Sequence, residues 1–337
     1  MQRLLTSDFW WSKLFTSIKS IFTFSFGIFL SGVNTFAADI YFNPGGGGEP
    51  NSCGEVSNQI PTVSTSVGTI NGTDGRFLRC VTDIDALRLT LHKAGICSSA
   101  PDTTDPSADW DDKCVFIIDD AAGIEFTVTK SSTSAIPAEK IDLSDLFEGT
   151  YTHAILMVGN SVKTKMNAQF AEDFRGANGN GAFCYSINAV TPGNAPAVAD
   201  LAVNCVSNEA AMIAAGDHDF SEKVFETFQT GPTTHAASRT ATNGDRIHLF
   251  KDLNVKATVA SDGSASDATK VVGVMEMSSP AIISATSTTF DAGFQLSGQG
   301  QIRFSGSGAC APAVLGGATG CISSMRNYGV GFRVTVQ

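Results

Sequence analysis

Eight cysteines falling into neighbouring pairs constrain this chain more than any other feature: Cys53 with Cys80, Cys97 with Cys114, Cys184 with Cys205, and Cys310 with Cys321. No pair has the close C-x-x-C spacing of a zinc site, so disulfides are the expected state. Many connectivities exist for eight cysteines, and the sequential one is adopted here as the working expectation. Cys97/Cys114 and Cys310/Cys321 each bracket a polar or glycine-rich loop between strand-like runs.

Disulfides persist in oxidising compartments, and the N-terminus carries a matching address. Arg3, Lys13 and Lys19 precede an apolar run, Ile21 to Val33, that is too short to span a bilayer. Thr35 and Ala37 place small residues at the −3 and −1 positions of a cut before Ala38. Residues 1–37 therefore read as a removable secretion signal, with an uncleaved N-terminal anchor as the alternative. No later segment is long and apolar enough to span a membrane as a helix. The leader holds three of the 22 basic residues and one of the 33 acidic ones, so 32 acids and 19 bases remain, a charge of −13. That charge argues against nucleic acid or an anionic membrane as partner, and favours solubility and divalent cations.

Period-2 alternation dominates the rest and predicts an all-β, antiparallel fold with few short helices. Residues 38–79 form an N-terminal extension: a short strand candidate at Ala38–Phe42, then the breaker Pro44 to Pro50. Residues 80–172 form a β-sandwich domain. Within it Leu87, Leu89 and Leu91 alternate with Arg88, Thr90 and His92, which puts His92 on the wet face. Tyr151–Val158 and Val162–Phe170 read as two strands joined by a hairpin at Gly159-Asn160. Residues 173–245 form a connecting region with helices expected at Glu209–Ala215 and Ser221–Phe228. Residues 246–337 form a C-terminal β-rich block, with alternation over Leu253–Val259 and over Tyr328–Val336. Whether the two β blocks make one domain or two is left open by the pattern.

Leu146-Phe-Glu-Gly149-Thr-Tyr151 has the L-x-x-G-x-Y form that makes a tyrosine corner in Greek-key sandwiches. The stretch from about Val81 to Phe170 resembles transthyretin-like and fibronectin-like β-sandwich modules of secreted bacterial proteins. That resemblance implies structural roles for Gly149 and Tyr151 and carries over no catalytic residue.

Catalytic signatures are mostly missing from the sequence. The chain lacks G-x-S-x-G and H-E-x-x-H. Asp217-His218-Asp219 reads as a polar turn, with metal binding or proton relay as its functional alternative. The densest acidic cluster is Asp102, Asp105, Asp109, Asp111 and Asp112, enclosed by Cys97 and Cys114. Calcium is the cofactor such hard oxygens can hold, although the spacing is not that of an EF-hand. Trp110 inside the loop is a candidate sugar platform or a core residue, and Asp262 to Asp267 is a second acidic loop. The resulting expectation is an exported, non-enzymatic protein of the cell surface, periplasm or extracellular space. Its role would be structural, adhesive or in assembly, with itself or other surface proteins as partners. An outer-membrane β-barrel and a calcium- or carbohydrate-binding module are the alternatives.

Overall fold

The structure, a computed structural model, describes residues 23–26, 38–40, 79–102, 110, 112–130, 138–191, 197–226, 228–229, 235–236, 238–240, 246–285, 287, 289–296, 299–305, 308–310, 314–318, 320–327 and 330–336. Among them are 21 strands and one α-helix. The strands begin with β1 (Thr23–Phe26), β2 (Ala38–Ile40), β3 (Arg79–Thr82), β4 (Ala86–Cys97), β5 (Cys114–Thr129), β6 (Gly149–Lys165) and β7 (Asn167–Arg175). Next come β8 (Asn180–Ser186), β9 (Ala189–Val190), β10 (Val203–Val206), β11 (Ser221–Val224), β12 (Phe228–Gln229), β13 (His235–Ala236) and β14 (Ser238–Thr240). Last are β15 (Arg246–Asp252), β16 (Val255–Lys256), β17 (Lys270–Ile283), β18 (Thr289–Gln295), β19 (Gly300–Ser305), β20 (Cys321–Asn327) and β21 (Val330–Val336). The protein is all-β.

Three sheets hold most strands. A four-stranded sheet runs β1-β18-β21-β2 and a six-stranded sheet runs β10-β8-β7-β20-β19-β3. The edge strand β1 of the first comes from the segment read as a removable leader, so cleavage before Ala38 would leave β18 at that edge. A nine-stranded sheet follows the path β14-β15-β17-β6-β11-β9, with β4 paired to β6, β5 to β4 and β16 to β15. Pairing is antiparallel except at β1/β18, β9/β11 and β7/β20. The sheets draw strands from both β-rich blocks: β17 pairs with β6 from Lys270↔Gly159 to Ile283↔Gly149, and β3 pairs with β19.

The alternation seen in sequence is what buries the core. Leu87, Leu89 and Leu91 of β4 are almost fully enclosed, and one apolar cluster joins them to Phe126, Phe174, Phe294 and Ile322 from all three sheets. Within it the Phe174 ring lies 5.1 Å from Phe170 and 5.3 Å from Phe304, and Phe126 lies 5.1 Å from Phe294.

Sulfur links tie registered neighbours. Cys97–Cys114 joins directly opposed positions of β4 and β5, and Cys184–Cys205 does the same for β8 and β10. Cys310–Cys321 closes an 11-residue separation. These three follow the sequential pairing; Cys53, and with it the Cys53/Cys80 pair, lies outside the described residues. At the start of β6, the Tyr151 hydroxyl donates to the Phe147 carbonyl at 2.9 Å while its ring is buried. That is the backward bond that L-x-x-G-x-Y spacing permits.

Helix α1 (Glu209–Ala215) forms where composition suggested. Asn208 caps it by accepting from the Ala211 N–H at 3.0 Å, and Gly216 ends it at φ 69°. The expected second helix over 221–228 is instead strand β11, paired with β6 and β9. A short Ser-Glu-Lys-Val segment has a weak helical bias, and the open hydrogen-bonding edge of β6 decides its conformation. The Gly159-Asn160 hairpin is also replaced, because β6 runs straight through those residues. Among the described glycines, positive φ occurs at Gly123, Gly216, Gly263, Gly316 and Gly317, not at Gly159. The strand expected over Leu253–Val259 shrinks to Val255–Lys256; Val255 and Val259 are each 52% exposed and have no face to bury. Among the described residues no helix is long and apolar enough to cross a membrane.

Candidate functional site

The site is built by one strand flanked by two bulges. On one side, Leu91 pairs with Ile124 and Lys93 with Asp119, so His92 of β4 faces four residues of β5, Asp120 to Gly123. On the other, Leu89 pairs with Val162 and Leu91 with Val158, so Thr90 faces Gly159, Asn160 and Ser161 of β6. Extra residues on both flanks push the outer strands away from β4 and leave a depression over Thr90 and His92. Sheets use such bulges to re-aim side chains at functional positions.

Local chemistry fixes each bulge. The Asp120 carboxylate accepts from the Gly123 N–H at 2.9 Å and pairs with Lys140, whose hydrogen bond holds the carboxyl below its usual range. Gly123 takes φ 81°, a left-handed value that suits glycine. A Cβ there would stand 2.5 Å from Thr90 Cγ2 and 2.7 Å from His92 Cε1. Gly123→Ala is therefore expected to cost about 1–3 kcal/mol, read as a lowered urea midpoint, and an unchanged midpoint would contradict this packing. In the second bulge, the Asn160 amide donates to the Ala268 carbonyl at 2.7 Å, and the Asn160 N–H donates to Thr269 at 2.9 Å. A Gly-Asn pair that looks like a turn in sequence is here a pinned irregularity inside a strand.

The depression is a groove of ≈ 440 Å³. Three cations line it, Arg88, Lys163 and Lys270, with two carboxylates, Glu125 and Glu222. Arg88 and Lys163 are directly opposed in the β4/β6 register, an arrangement of like charges that weakens a sheet. The Arg88 Nε donates to Thr127 Oγ1 at 3.1 Å, and its guanidinium sits 4.2 Å over the Phe220 ring. The Glu222 carboxylate accepts from the Ser161 hydroxyl, while Lys270 donates to Thr269 Oγ1 and lies 3.8 Å from Asp252.

His92, expected to be solvated, is only 7% exposed because the Asp120–Gly123 bulge folds over it. Burial, then Lys270, pushes its pKa down against main-chain bonds to Asp120 and Ala121. Burial is also the main cause of lowered values at His153, His218 and His248. A base kept neutral in the fold but free to protonate when unfolded makes stability fall with pH. This contribution is complete above the ordinary histidine value of about 6.5 and is lost as pH falls through the lowered folded values. Denaturant midpoints should decline steadily from about pH 7.5 to 5, and a flat profile would refute the burial of these imidazoles.

The acidic loops behave differently from the groove. Asp102 and Asp112 are exposed; Asp105, Asp109 and Asp111 lie outside the described residues. Trp110 is a core residue, 2% exposed, with its indole N–H donating to the Asp102 carbonyl at 2.6 Å. Its ring packs 5.9 Å from Phe250 and 6.3 Å from Phe116 beside the Cys97–Cys114 link, so it offers no stacking surface for a sugar. Asp217 is a latch, accepting from the Tyr185 hydroxyl at 2.7 Å and the Asn204 amide at 2.6 Å. Burial and Asp217 together push the Tyr185 pKa up to about 12. His218 stacks edge-on to Tyr185 at 5.6 Å. In the second acidic loop, Asp262 closes a turn through Ser264, while Asp267 accepts from the Thr258 N–H at 2.9 Å. Among the described residues no group of three or more His, Cys, Asp or Glu is placed to hold a metal ion.

Sequence patterning put Arg88, Thr90 and His92 on one face but did not connect them to Asn160, Lys163, Glu222 or Lys270. The register slips that bring these together leave no local periodicity. No family model, curated protein or solved structure matches this chain.

Proposed function

We propose that this chain is an exported protein of the cell surface or periplasm, with a structural, adhesive or assembly role and no catalytic activity. The observation that carries this reading is the placing of Cys97–Cys114 and Cys184–Cys205 between registered strand neighbours. Links of this kind are kept where thiols are not continually reduced, and the basic, apolar, small-residue leader is the matching address. The strong acidity favours solubility, and the absence of a recognisable catalytic motif in the sequence agrees with a non-enzymatic role. The transthyretin-like and fibronectin-like resemblance of residues 81–170 supports a scaffold whose job is to present surface.

Fractionation of the native host, followed by N-terminal sequencing and mass mapping, tests the proposal. Recovery outside the cytosol, starting at Ala38 with the cysteines linked, is expected. A cytosolic species with intact Met1 and free thiols would overturn it.

A further inference from the structure

We infer that the groove over Thr90 and His92 binds an acidic sugar, a ligand carrying carboxylate and hydroxyl groups together. In a chain of net charge −11, this depression places Arg88, Lys163 and Lys270 beside Glu125 and Glu222, and Lys270 is matched by Asp252 at 3.8 Å, which leaves Arg88 and Lys163 as the cations open to a ligand. These two stand directly opposite each other on adjacent strands, both half-buried. Arg88 rests its guanidinium face on the Phe220 ring and donates through Nε to Thr127; among the described residues its two terminal nitrogens have no hydrogen-bond partner, which leaves their edge for a ligand. Glu222 is the register neighbour of Lys163 on β11, but its carboxylate is bonded to Ser161, and no carboxylate among the described residues lies within ion-pair distance of Lys163. A planar carboxylate meets such a guanidinium through paired hydrogen bonds, and a neighbouring ammonium supplies a further donor.

The rest of the wall selects what else the ligand must bring. The Glu125 carboxylate, and the Glu222 oxygen that is not bonded to Ser161, offer acceptors to hydrogen-bond donors on the ligand. Hydroxyl groups supply those donors without bringing another cation beside Arg88 and Lys163. Thr90 adds a hydroxyl that either donates or accepts, whereas the Thr269 hydroxyl already donates to the Lys251 carbonyl and accepts from Lys270. An amino acid would bring its own ammonium beside Arg88 and Lys163, and a neutral sugar would leave those two without an anion. The acidic sugar satisfies both halves. The volume of ≈ 440 Å³ falls within the range of small-ligand sites. The site is independent of the export reading, since it concerns the purified folded chain.

Titration calorimetry of the full purified chain with trigalacturonate tests the inference, with maltotriose and sodium sulfate as comparison titrants. Trigalacturonate is expected to bind while maltotriose does not. Sulfate binding as tight as the trisaccharide would overturn the sugar assignment, and no trigalacturonate binding would overturn the site. Arg88→Gln/Lys163→Gln and Lys163→Gln alone should each weaken binding by about tenfold or more, whereas Lys256→Gln, an exposed cation elsewhere, should leave it unchanged. Equal affinity in the double variant would overturn the inference. A thermal melt separates binding from architecture. Removing one of two directly opposed like charges should leave Lys163→Gln at least as stable as the parent, and a marked loss of stability would make the residue structural and count against a ligand site.

Discussion

Replacing Phe174 with alanine is expected to destabilise the protein by about 3–5 kcal/mol, the range for truncating an enclosed aromatic ring. Phe174 is 1% exposed, and its ring sits between those of Phe170 and Phe304. Phe170 and Phe174 come from β7 while Phe304 comes from β19, so the lost ring separates two strands of the six-stranded sheet that do not pair with each other. The same apolar cluster reaches Leu91 in the nine-stranded sheet and Phe294 in the four-stranded one. The loss should therefore lower the urea midpoint of a single transition and leave its slope intact. A change under about 1 kcal/mol would show that these rings are not packed as described.

The second large effect concerns sulfur. Cys184→Ala/Cys205→Ala removes a link between directly opposed, fully buried positions separated by 21 residues. Releasing a loop of this length restores conformational freedom to the unfolded chain, and the expected loss is about 3 kcal/mol. Strands β8 and β10 keep their backbone pairing, so the fold should survive with a lower melting temperature. The measurement is a comparison of parent and double variant under non-reducing conditions, and equal melting temperatures would refute the stabilising role of the link.

How much of this was legible in the sequence depended on whether the determining contact was local. Leu87, Leu89 and Leu91 announced a half-buried strand because alternation in three successive turns of the pleat has one simple solution. Helix α1 was legible from the composition of Glu209–Ala215, and the structure adds the caps at Asn208 and Gly216 that fix its ends. Ser221–Val224 misled because four residues of mixed propensity are decided by the neighbour they meet, here the far end of β6. The groove lay further out of reach. Its bulges pair one residue of β4 against four of β5 and three of β6, and no periodicity encodes a slip between strands distant in sequence. The opposition of Arg88 and Lys163 is likewise invisible until the register is known. His92 followed its period-2 position correctly, and its burial came from the Asp120–Gly123 bulge rather than from its own strand.

The cross-strand sulfur links also set how the molecule responds to being pulled. Tension entering at Cys97 passes straight through the sulfur atoms to Cys114, bypassing the intervening segment, and the same holds for the 21-residue separation at Cys184 and Cys205. An unlinked chain lengthens by about 3.4 Å for each residue that is drawn out. These enclosed stretches are withheld from that lengthening, so even a fully unravelled molecule stays more than about a hundred ångströms shorter than its contour. For a protein anchored at one end and loaded at the other, such locked lengths limit the stroke of any single rupture.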